Sequence, residues 1–129
     1  MQLTLKDDLP FVSITMAHSG YDIIIDNVLV DTGSASTILA ADAVAAVGIV
    51  PELNDILSLI RGVGGVETVY SRRIQALGIG ERVLQNVEIE IGAMDYGFPI
   101  DGILGMDLLT RTGAIIDLDR LTVEFSRQA

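Results

Sequence analysis

The feature that most constrains the fold is an alternation of apolar and polar residues that recurs in short segments of the chain. In one such segment, Val87, Ile89 and Ile91 alternate with Glu88 and Glu90. Successive side chains of a strand point to opposite faces, so this pattern predicts a strand with one face in the core and the other in water. Helical spacing is much rarer here. The chain is therefore predicted to be mainly β.

Turn residues divide these segments and predict hairpins. The predicted strand segments are Phe11–Met16, Tyr21–Val30, Ile56–Arg61, Val66–Tyr70, Ile74–Ile79, Val87–Ile91, Ala114–Leu118 and Leu121–Phe125. Two short helices are expected at Ser36–Val47 and Met106–Thr112, because each is followed by a glycine suited to a helix end. Many short strands with two small helices predict a closed or folded-over β-barrel.

The length and the absence of cysteine limit the possible chemistry. A chain of 129 residues is expected to form a single domain, residues 1–129, whose core needs no disulfide or structural metal. With no cysteine in the sequence, thiolate catalysis, cysteine-ligated zinc and iron–sulfur clusters are excluded. We expect no cofactor and no metal.

The charge of the chain argues against several partners. Eight basic and 18 acidic residues give a formal net charge of −10, which disfavours nucleic acid and anionic membranes because both require a basic surface. The longest uncharged apolar stretch, Ala43–Val50, is far shorter than the ~20 residues of a membrane-spanning helix. The acidic residues near the start, Asp7 and Asp8, do not fit a signal peptide. A soluble, cytoplasmic chain without membrane contact is therefore expected.

One turn stands out as a candidate catalytic site. The apolar segment Val28–Val30 is followed by Asp31, Thr32, Gly33 and Ser34. This order places a carboxylate at the end of a buried strand, with hydroxyl groups beside it and a glycine that allows a backbone N–H to approach. An Asp-Thr-Gly sequence by itself is most often an ordinary turn, so its context decides.

The context resembles the retropepsin-like aspartic proteases, the family of retroviral proteases and their cellular and bacterial relatives. Three features match in the same order over Phe11 to Phe125. They are the strand ending in Asp31–Ser34, the glycine-rich hairpin at Gly62–Gly65, and the segment Ile103–Leu109, which resembles an apolar-apolar-glycine segment opening a short helix. The resemblance implies the acid-protease type of β-barrel.

The resemblance also implies a role for each residue of the turn. Asp31 matches the catalytic acid, and Thr32 the threonine that bonds across a dimer axis. Gly33 matches the glycine that contacts the acid, and Ser34 the residue whose hydroxyl, where present, hydrogen-bonds the carboxylate. Retroviral members commonly have arginine after the later glycine, where this chain has Met106 followed by Asp107.

The glycine-rich hairpin matches the flap that covers the substrate in this family. Its residues Gly62, Val63, Gly64 and Gly65 are therefore candidates for flap and substrate contacts. Candidate pocket residues are Val63, Val66, Ile103 and Leu104, with a core position as the alternative for each.

The mechanism of this family needs two carboxylates that share a proton over one water, and the chain has one Asp-Thr-Gly. The chain is therefore expected to act as a homodimer, with one Asp31 from each copy at a two-fold axis. Asp101 is the only other candidate acid, and a structural loop role is favoured for it. The predicted function is an aspartic endopeptidase acting on extended polypeptides; the alternative is a silent or latent retropepsin-like module for dimerisation or peptide binding.

Overall fold

The computed structural model describes residues 1–62, 65–94, 97 and 99–126 of the chain. Within them the fold is mainly β with two short α-helices, as the alternation predicts. The elements are β1 (Thr4–Lys6), β2 (Leu9–His18), β3 (Tyr21–Val30), β4 (Ile38–Ala40), α1 (Ala41–Val44), β5 (Leu57–Gly62), β6 (Gly65–Ile79), β7 (Arg82–Gly92), β8 (Gly102–Leu104), α2 (Met106–Arg111), β9 (Ala114–Asp117) and β10 (Thr122–Phe125).

Eight of these strands form one sheet that closes on itself. Their order is β1-β2-β3-β8-β4-β7-β6-β5, and β2 also pairs with β6. The pairings β2-β3-β8-β4-β7-β6 and back to β2 therefore form a ring, which is the folded-over arrangement expected from many short strands. β9 and β10 form a separate hairpin, and the backbone of Met1 bonds to Val123 of β10.

The residues on the inner faces of these strands form two apolar clusters. The larger contains Ile14, Leu39, Ile74, Leu77 and Ile91, all at most 1% exposed, together with residues of both helices. The second cluster consists of Phe11, Ile38, Ala40, Val69, Met94, Ile100 and Ile103, with Leu29 and Ile60 partly buried against it. This second cluster joins the strands around the end of β3.

The prediction of a helix over Ser36–Val47 is wrong at its start. Ile38–Ala40 are strand β4; only Ala41–Val44 are α-helical, followed by a 3-10 turn at Ala45–Val47. β4 lies between β7 and β8 and is buried at all three residues. Hydrogen-bonded pairing on both sides stabilises this strand, and this effect outweighs the preference of the alanine-rich segment for a helix. The helical end is as predicted, because Gly48 has φ of 82°.

The two strands predicted at Val66–Tyr70 and Ile74–Ile79 are one strand, β6, of 15 residues. The polar residues between them continue the pairing with β7, in the register Ser71↔Glu90 to Arg73↔Glu88. One edge of β6 pairs with β7, while the other pairs first with β5 and then with β2. A long strand can thus pair with several other strands, and the polar residues in its middle do not reveal that it is continuous.

Neither helix in the described part of the chain has the length and apolar character required to cross a lipid bilayer.

Candidate active site

The backbone of Asp31 is held by two parallel strands. β3 pairs with β8 in the register Val28↔Gly102 to Val30↔Leu104. The ladder continues by one bond, since the Asp31 N–H donates to the carbonyl of Leu104 at 3.0 Å. Val30 is 6% exposed, whereas Asp31 is half-buried. The sequence therefore folds so that a buried strand ends at a carboxylate that water can reach.

The turn after β3 fixes one oxygen of this carboxylate. The Gly33 N–H donates to Asp31 Oδ1 at 2.9 Å, and the Ser34 N–H donates to the Asp31 carbonyl at 3.2 Å. A Cβ on Gly33 would lie 3.2 Å from Oδ1, tighter than ordinary contact. Glycine thus permits the close approach of the amide. In the described part of the chain Oδ2 has no hydrogen-bond partner, which leaves it available to water.

The two hydroxyl residues of the turn differ from each other. Thr32 is exposed, so its side chain is accessible to a second molecule. The Ser34 hydroxyl was expected to bond the carboxylate, but it donates to the carbonyl of Ser36 at 2.8 Å. The backbone of Ser34 is fixed by its N–H bond to the Asp31 carbonyl and by the bond that its carbonyl accepts from Met106. In this position the Ser36 carbonyl lies within hydrogen-bond distance of the Ser34 hydroxyl.

The segment from β8 to α2 interlocks with the turn. The Met106 N–H donates to the Ser34 carbonyl at 2.7 Å, and the Asp107 N–H donates to the Ala35 carbonyl at 3.2 Å. The backbone of the apolar-apolar-glycine segment and of the residues just after it therefore holds the Asp31 turn through hydrogen bonds. Of the candidate pocket residues in it, Ile103 belongs to the second apolar cluster, while Leu104 is 1% exposed and lies in the main core.

A side-chain contact between Thr37 and Asp107 at this point is not predicted by the sequence pattern. The Thr37 hydroxyl donates to Asp107 Oδ1 at 2.7 Å, and the Thr37 N–H donates to Oδ2 at 3.2 Å. The Gly105 N–H donates in turn to Thr37 Oγ1 at 3.0 Å. The only local signal was a threonine near a predicted helix start and an acid in the first turn of the next helix.

The glycine-rich segment does connect two antiparallel strands. β5 and β6 pair from Leu57↔Tyr70 to Gly62↔Gly65, while Val63 and Gly64 lie outside the described residues. Ile60 and Val69 face the second apolar cluster, whereas Val66 is 56% exposed. The hairpin is therefore present, and it packs against the same apolar cluster as Leu29 of β3. Its role as a flap stays a prediction.

Two contacts fasten this hairpin to the rest of the fold. Glu67 Oε1 accepts the N–H of Met94, just beyond β7, at 2.8 Å. Farther along β6, Arg72 binds Glu52 at 2.8 Å and Asp55 at 2.7 Å, and so anchors the segment that leads into β5.

Arg72 also lies over the ring of Tyr70, 5.2 Å from its centroid. Burial raises the pKa of the Tyr70 hydroxyl above its usual value of 10.0, an effect that the neighbouring Arg72 partly opposes and that Asp55 and Glu52 reinforce.

Asp101 lies away from the Asp31 carboxylate. It precedes Gly102, which pairs with Val28, whereas Asp31 follows Val30. In parallel strands this register separates the two levels by four residues, or about 13 Å. The Asp101 carboxylate accepts a hydrogen bond from Asn27 Nδ2 at 3.2 Å, and its backbone bonds to Asn27 and Ala40. This geometry agrees with the structural loop role favoured for it.

No group of three or more His, Asp or Glu side chains that could hold a metal ion occurs among the residues described.

Comparison with known proteins gives a consistent family. A sequence profile of the family described as aspartyl protease matches residues 15–108. The fold is similar to the crystal structure of a retropepsin-like aspartic protease from Rickettsia conorii, with a TM-score of 0.66, 21% sequence identity, and coverage of 92% of this chain and 83% of that one. A search of curated protein sequences gives no significant match. The profile shows that the chain belongs to the aspartyl protease family, and its fold is retropepsin-like.

Proposed function

We propose that this chain is an aspartic endopeptidase whose active site forms between two copies, with Asp31 from each. The observation that carries the proposal is the state of the Asp31 carboxylate. One oxygen is held by the Gly33 N–H and the side chain is half-buried at the end of a strand. A carboxylate fixed in this way can bind and orient a water molecule instead of rotating freely.

The need for a second copy follows from the chemistry and the strand register. Activation of water for attack on a peptide bond by this mechanism takes two carboxylates within reach of one water. Asp101, the other acid considered, is about 13 Å away along the strands and is bound to Asn27. The second carboxylate is therefore proposed to be Asp31 of another copy, and the exposed Thr32 is proposed to contact its counterpart.

In the proposed reaction one Asp31 is ionised and the other is protonated, because two carboxylates so close cannot both carry a charge. The ionised carboxylate takes a proton from the water while the oxygen of the water attacks the carbonyl carbon of the peptide. The protonated group donates a hydrogen bond to the carbonyl oxygen. When the C–N bond breaks, a proton passes from the pair to the leaving amine.

The proposed substrate is an extended polypeptide with apolar side chains. It would lie between the Asp31 turn and the β5–β6 hairpin, paired through its main chain. Leu29 and Ile60 are partly buried against the second apolar cluster, to which Ile103 belongs, and these three residues are proposed to contact the substrate side chains. Apolar surface of this kind binds apolar side chains of a substrate. Gly62, Val63, Gly64 and Gly65 are proposed to cover the bound chain.

The test is cleavage of an unfolded protein from about pH 3.5 to 7 by wild type and by Asp31→Asn. Circular dichroism and mass in solution check that the variant is folded and assembled. We expect cleavage on the acid side of neutrality that a transition-state-mimicking aspartic protease inhibitor blocks and that Asp31→Asn abolishes. A folded, dimeric wild type without turnover at any pH would instead support a silent binding module.

Mixing the two proteins at constant total concentration tests whether the site is shared. If each site needs one Asp31 from each copy, only wild-type pairs are active, and an equal mixture after subunit exchange keeps about one quarter of the activity. If each copy acts alone, about half remains. The second result would refute the shared site even when the enzyme itself is active.

A further inference from the structure

Two threonine side chains in the described part of the chain are buried, Thr37 and Thr112, each 1% exposed. They are bound in different ways. The hydroxyl of Thr112, the residue just after α2, donates to the carbonyl of Leu108 in the adjoining helix at 2.8 Å. The Thr37 hydroxyl instead connects two segments that lie far apart in sequence, because it accepts from Gly105 and donates to Asp107. Of these two threonines, Thr37 is therefore the one whose side chain connects the segment after the Asp31 turn with α2.

The Asp107 side chain uses both carboxylate oxygens in this contact. Oδ2 accepts the Thr37 N–H at 3.2 Å, and Oδ1 accepts the Thr37 hydroxyl at 2.7 Å and the Leu108 N–H at 2.8 Å. Three donors thus meet a group that only accepts. Asparagine has nearly the same shape but one acceptor oxygen, so its NH2 would face an N–H donor. The position is built for an aspartate.

The backbone on either side of this contact holds Asp31. Leu104, just before Gly105, accepts the Asp31 N–H at 3.0 Å. Met106, just after Gly105, donates to Ser34 at 2.7 Å. Because Thr37 binds both Gly105 and Asp107, it fixes the same short segment that supports the turn from both ends. A change at Asp107 therefore shifts the support of the Asp31 turn without touching Asp31.

We propose that Asp107, acting through Thr37, is a positioning residue for Asp31. It holds the α2 start against the turn and so sets the direction in which the Asp31 carboxylate meets the shared water. The inference rests on the proposed function for its catalytic consequence. Its structural part concerns the Asp31 turn alone, and it can be measured without turnover.

The experiment compares two changes at the contact with two controls. Asp107→Asn removes one acceptor at constant shape, and Thr37→Val removes the hydroxyl from the other side of the same contact. Thr37→Ser keeps that hydroxyl, while Thr112→Val removes an equally buried hydroxyl at the C-terminal end of α2. All are measured at a temperature at which circular dichroism shows them folded. Since two variants address one contact, the test holds if one of them fails to fold.

Two readouts separate positioning from a general loss of stability. Hydrogen exchange of the Gly33 and Ser34 amides, which both bond to Asp31, is expected to be about tenfold faster in Asp107→Asn and Thr37→Val than in wild type. Their kcat is expected to fall about 10-fold to 100-fold with KM nearly unchanged, and the limbs of the pH–rate profile to move. Thr37→Ser and Thr112→Val are expected to retain wild-type exchange and kcat.

The outcomes keep the two proposals apart. If wild type has no turnover but the amides respond as expected, the proposed function fails and the positioning role stands. If wild type cleaves peptides but Asp107→Asn and Thr37→Val match Thr112→Val in exchange, kcat and pH profile, the positioning role is overturned and the contact only stabilises the fold.

Discussion

Gly105 lies against the backbone of Ser36, so closely that a Cβ on Gly105 would be 2.4 Å from the Ser36 carbonyl oxygen. The same Cβ would be 2.9 Å from the Ser34 carbonyl oxygen. This approach lets the next residue, Met106, donate its N–H to Ser34 at 2.7 Å. The glycine of the apolar-apolar-glycine segment is therefore required by contact with the Asp31 turn.

Gly105→Ala is the first prediction. The added methyl group meets backbone atoms, which cannot rotate away, so the turn and α2 must separate. We expect a loss of about 1–3 kcal/mol in the free energy of unfolding and loss of peptide cleavage.

The control for Gly105→Ala is Gly20→Ala, in the β2–β3 turn at φ of 80° with open space around it. It is expected to cost about 1 kcal/mol through backbone strain but to leave cleavage intact. Denaturant unfolding gives the stabilities. Equal activity of the two variants would contradict the prediction.

Much of this fold follows from local sequence. The alternation predicts the strands of the β2–β3 hairpin, and Gly113, at φ of 64°, ends α2 where expected. The Asp31 turn is also predictable, because the strand, the acid and the glycine are adjacent in sequence. In each case the residues that decide the structure lie within a few positions of one another.

The features that were mispredicted or missed depend on distant residues. Ile38–Ala40 become a strand because β7 and β8 flank them. The contact between Thr37 and Asp107 joins residues 70 positions apart. Neither is encoded in a local pattern, since a threonine before an alanine-rich segment is equally typical of a helix start. Only the closed ring of strands brings these partners together.

Arg72→Met is predicted to destabilise the base of the β5–β6 hairpin. Arg72 is 19% exposed in its side chain and Asp55 14%, so their ion pair is partly shielded from water. Removing the cation leaves Asp55 without its main partner. We expect a loss of about 1–3 kcal/mol and faster proteolysis within 50–57.

Arg120→Met is the matched control, since that pair with Asp117 is 3.9 Å long and Arg120 is 75% exposed. Its cost should be below about 0.5 kcal/mol. If thermal unfolding shows a similar loss of stability for the two variants, the proposed stabilising role of the Arg72–Asp55 ion pair is refuted.

The free energy of unfolding of Tyr70→Phe is predicted to fall less steeply with rising alkaline pH than that of wild type. The folded chain raises the pKa of Tyr70 above 10.0, mainly by burial, so it holds this proton more tightly than the unfolded chain. The resulting stability is fully present below about pH 10 and is lost as pH rises through the folded-state pKa. The variant lacks this dependence.

The same variant should be no less stable than wild type at neutral pH, because the Tyr70 hydroxyl has no partner among the described residues. Urea unfolding at neutral and alkaline pH measures both effects. Tyr21→Phe, at a tyrosine 60% exposed, is the control. An alkaline slope in Tyr70→Phe as steep as in wild type would count against the buried hydroxyl as its source.

Asp101→Asn is predicted to keep activity. The Asn27 amide can donate to the new side-chain oxygen as it does to Asp101 Oδ2, and the position is about 13 Å from Asp31 along the strands. Cleavage within about twofold of wild type is expected, against complete loss in Asp31→Asn. A loss as large as that of Asp31→Asn would return Asp101 to consideration as the second acid.

Dimer formation is predicted to respond to salt and to pH for two separable reasons. Two copies of formal charge −10 repel each other, and salt screens this long-range repulsion beyond about 10 Å at 0.1 M. In the proposed dimer the two Asp31 carboxylates share one water, and charges that close are screened much less. At high salt the remaining weakening toward neutral pH is therefore expected to come from that pair. Asp31→Asn removes it. Sedimentation velocity at high salt measures the dimer. We expect the Asp31→Asn dimer to be tighter than the wild-type dimer at neutral pH and equally tight in acid. An identical pH dependence in both proteins would mean that the two aspartates do not meet.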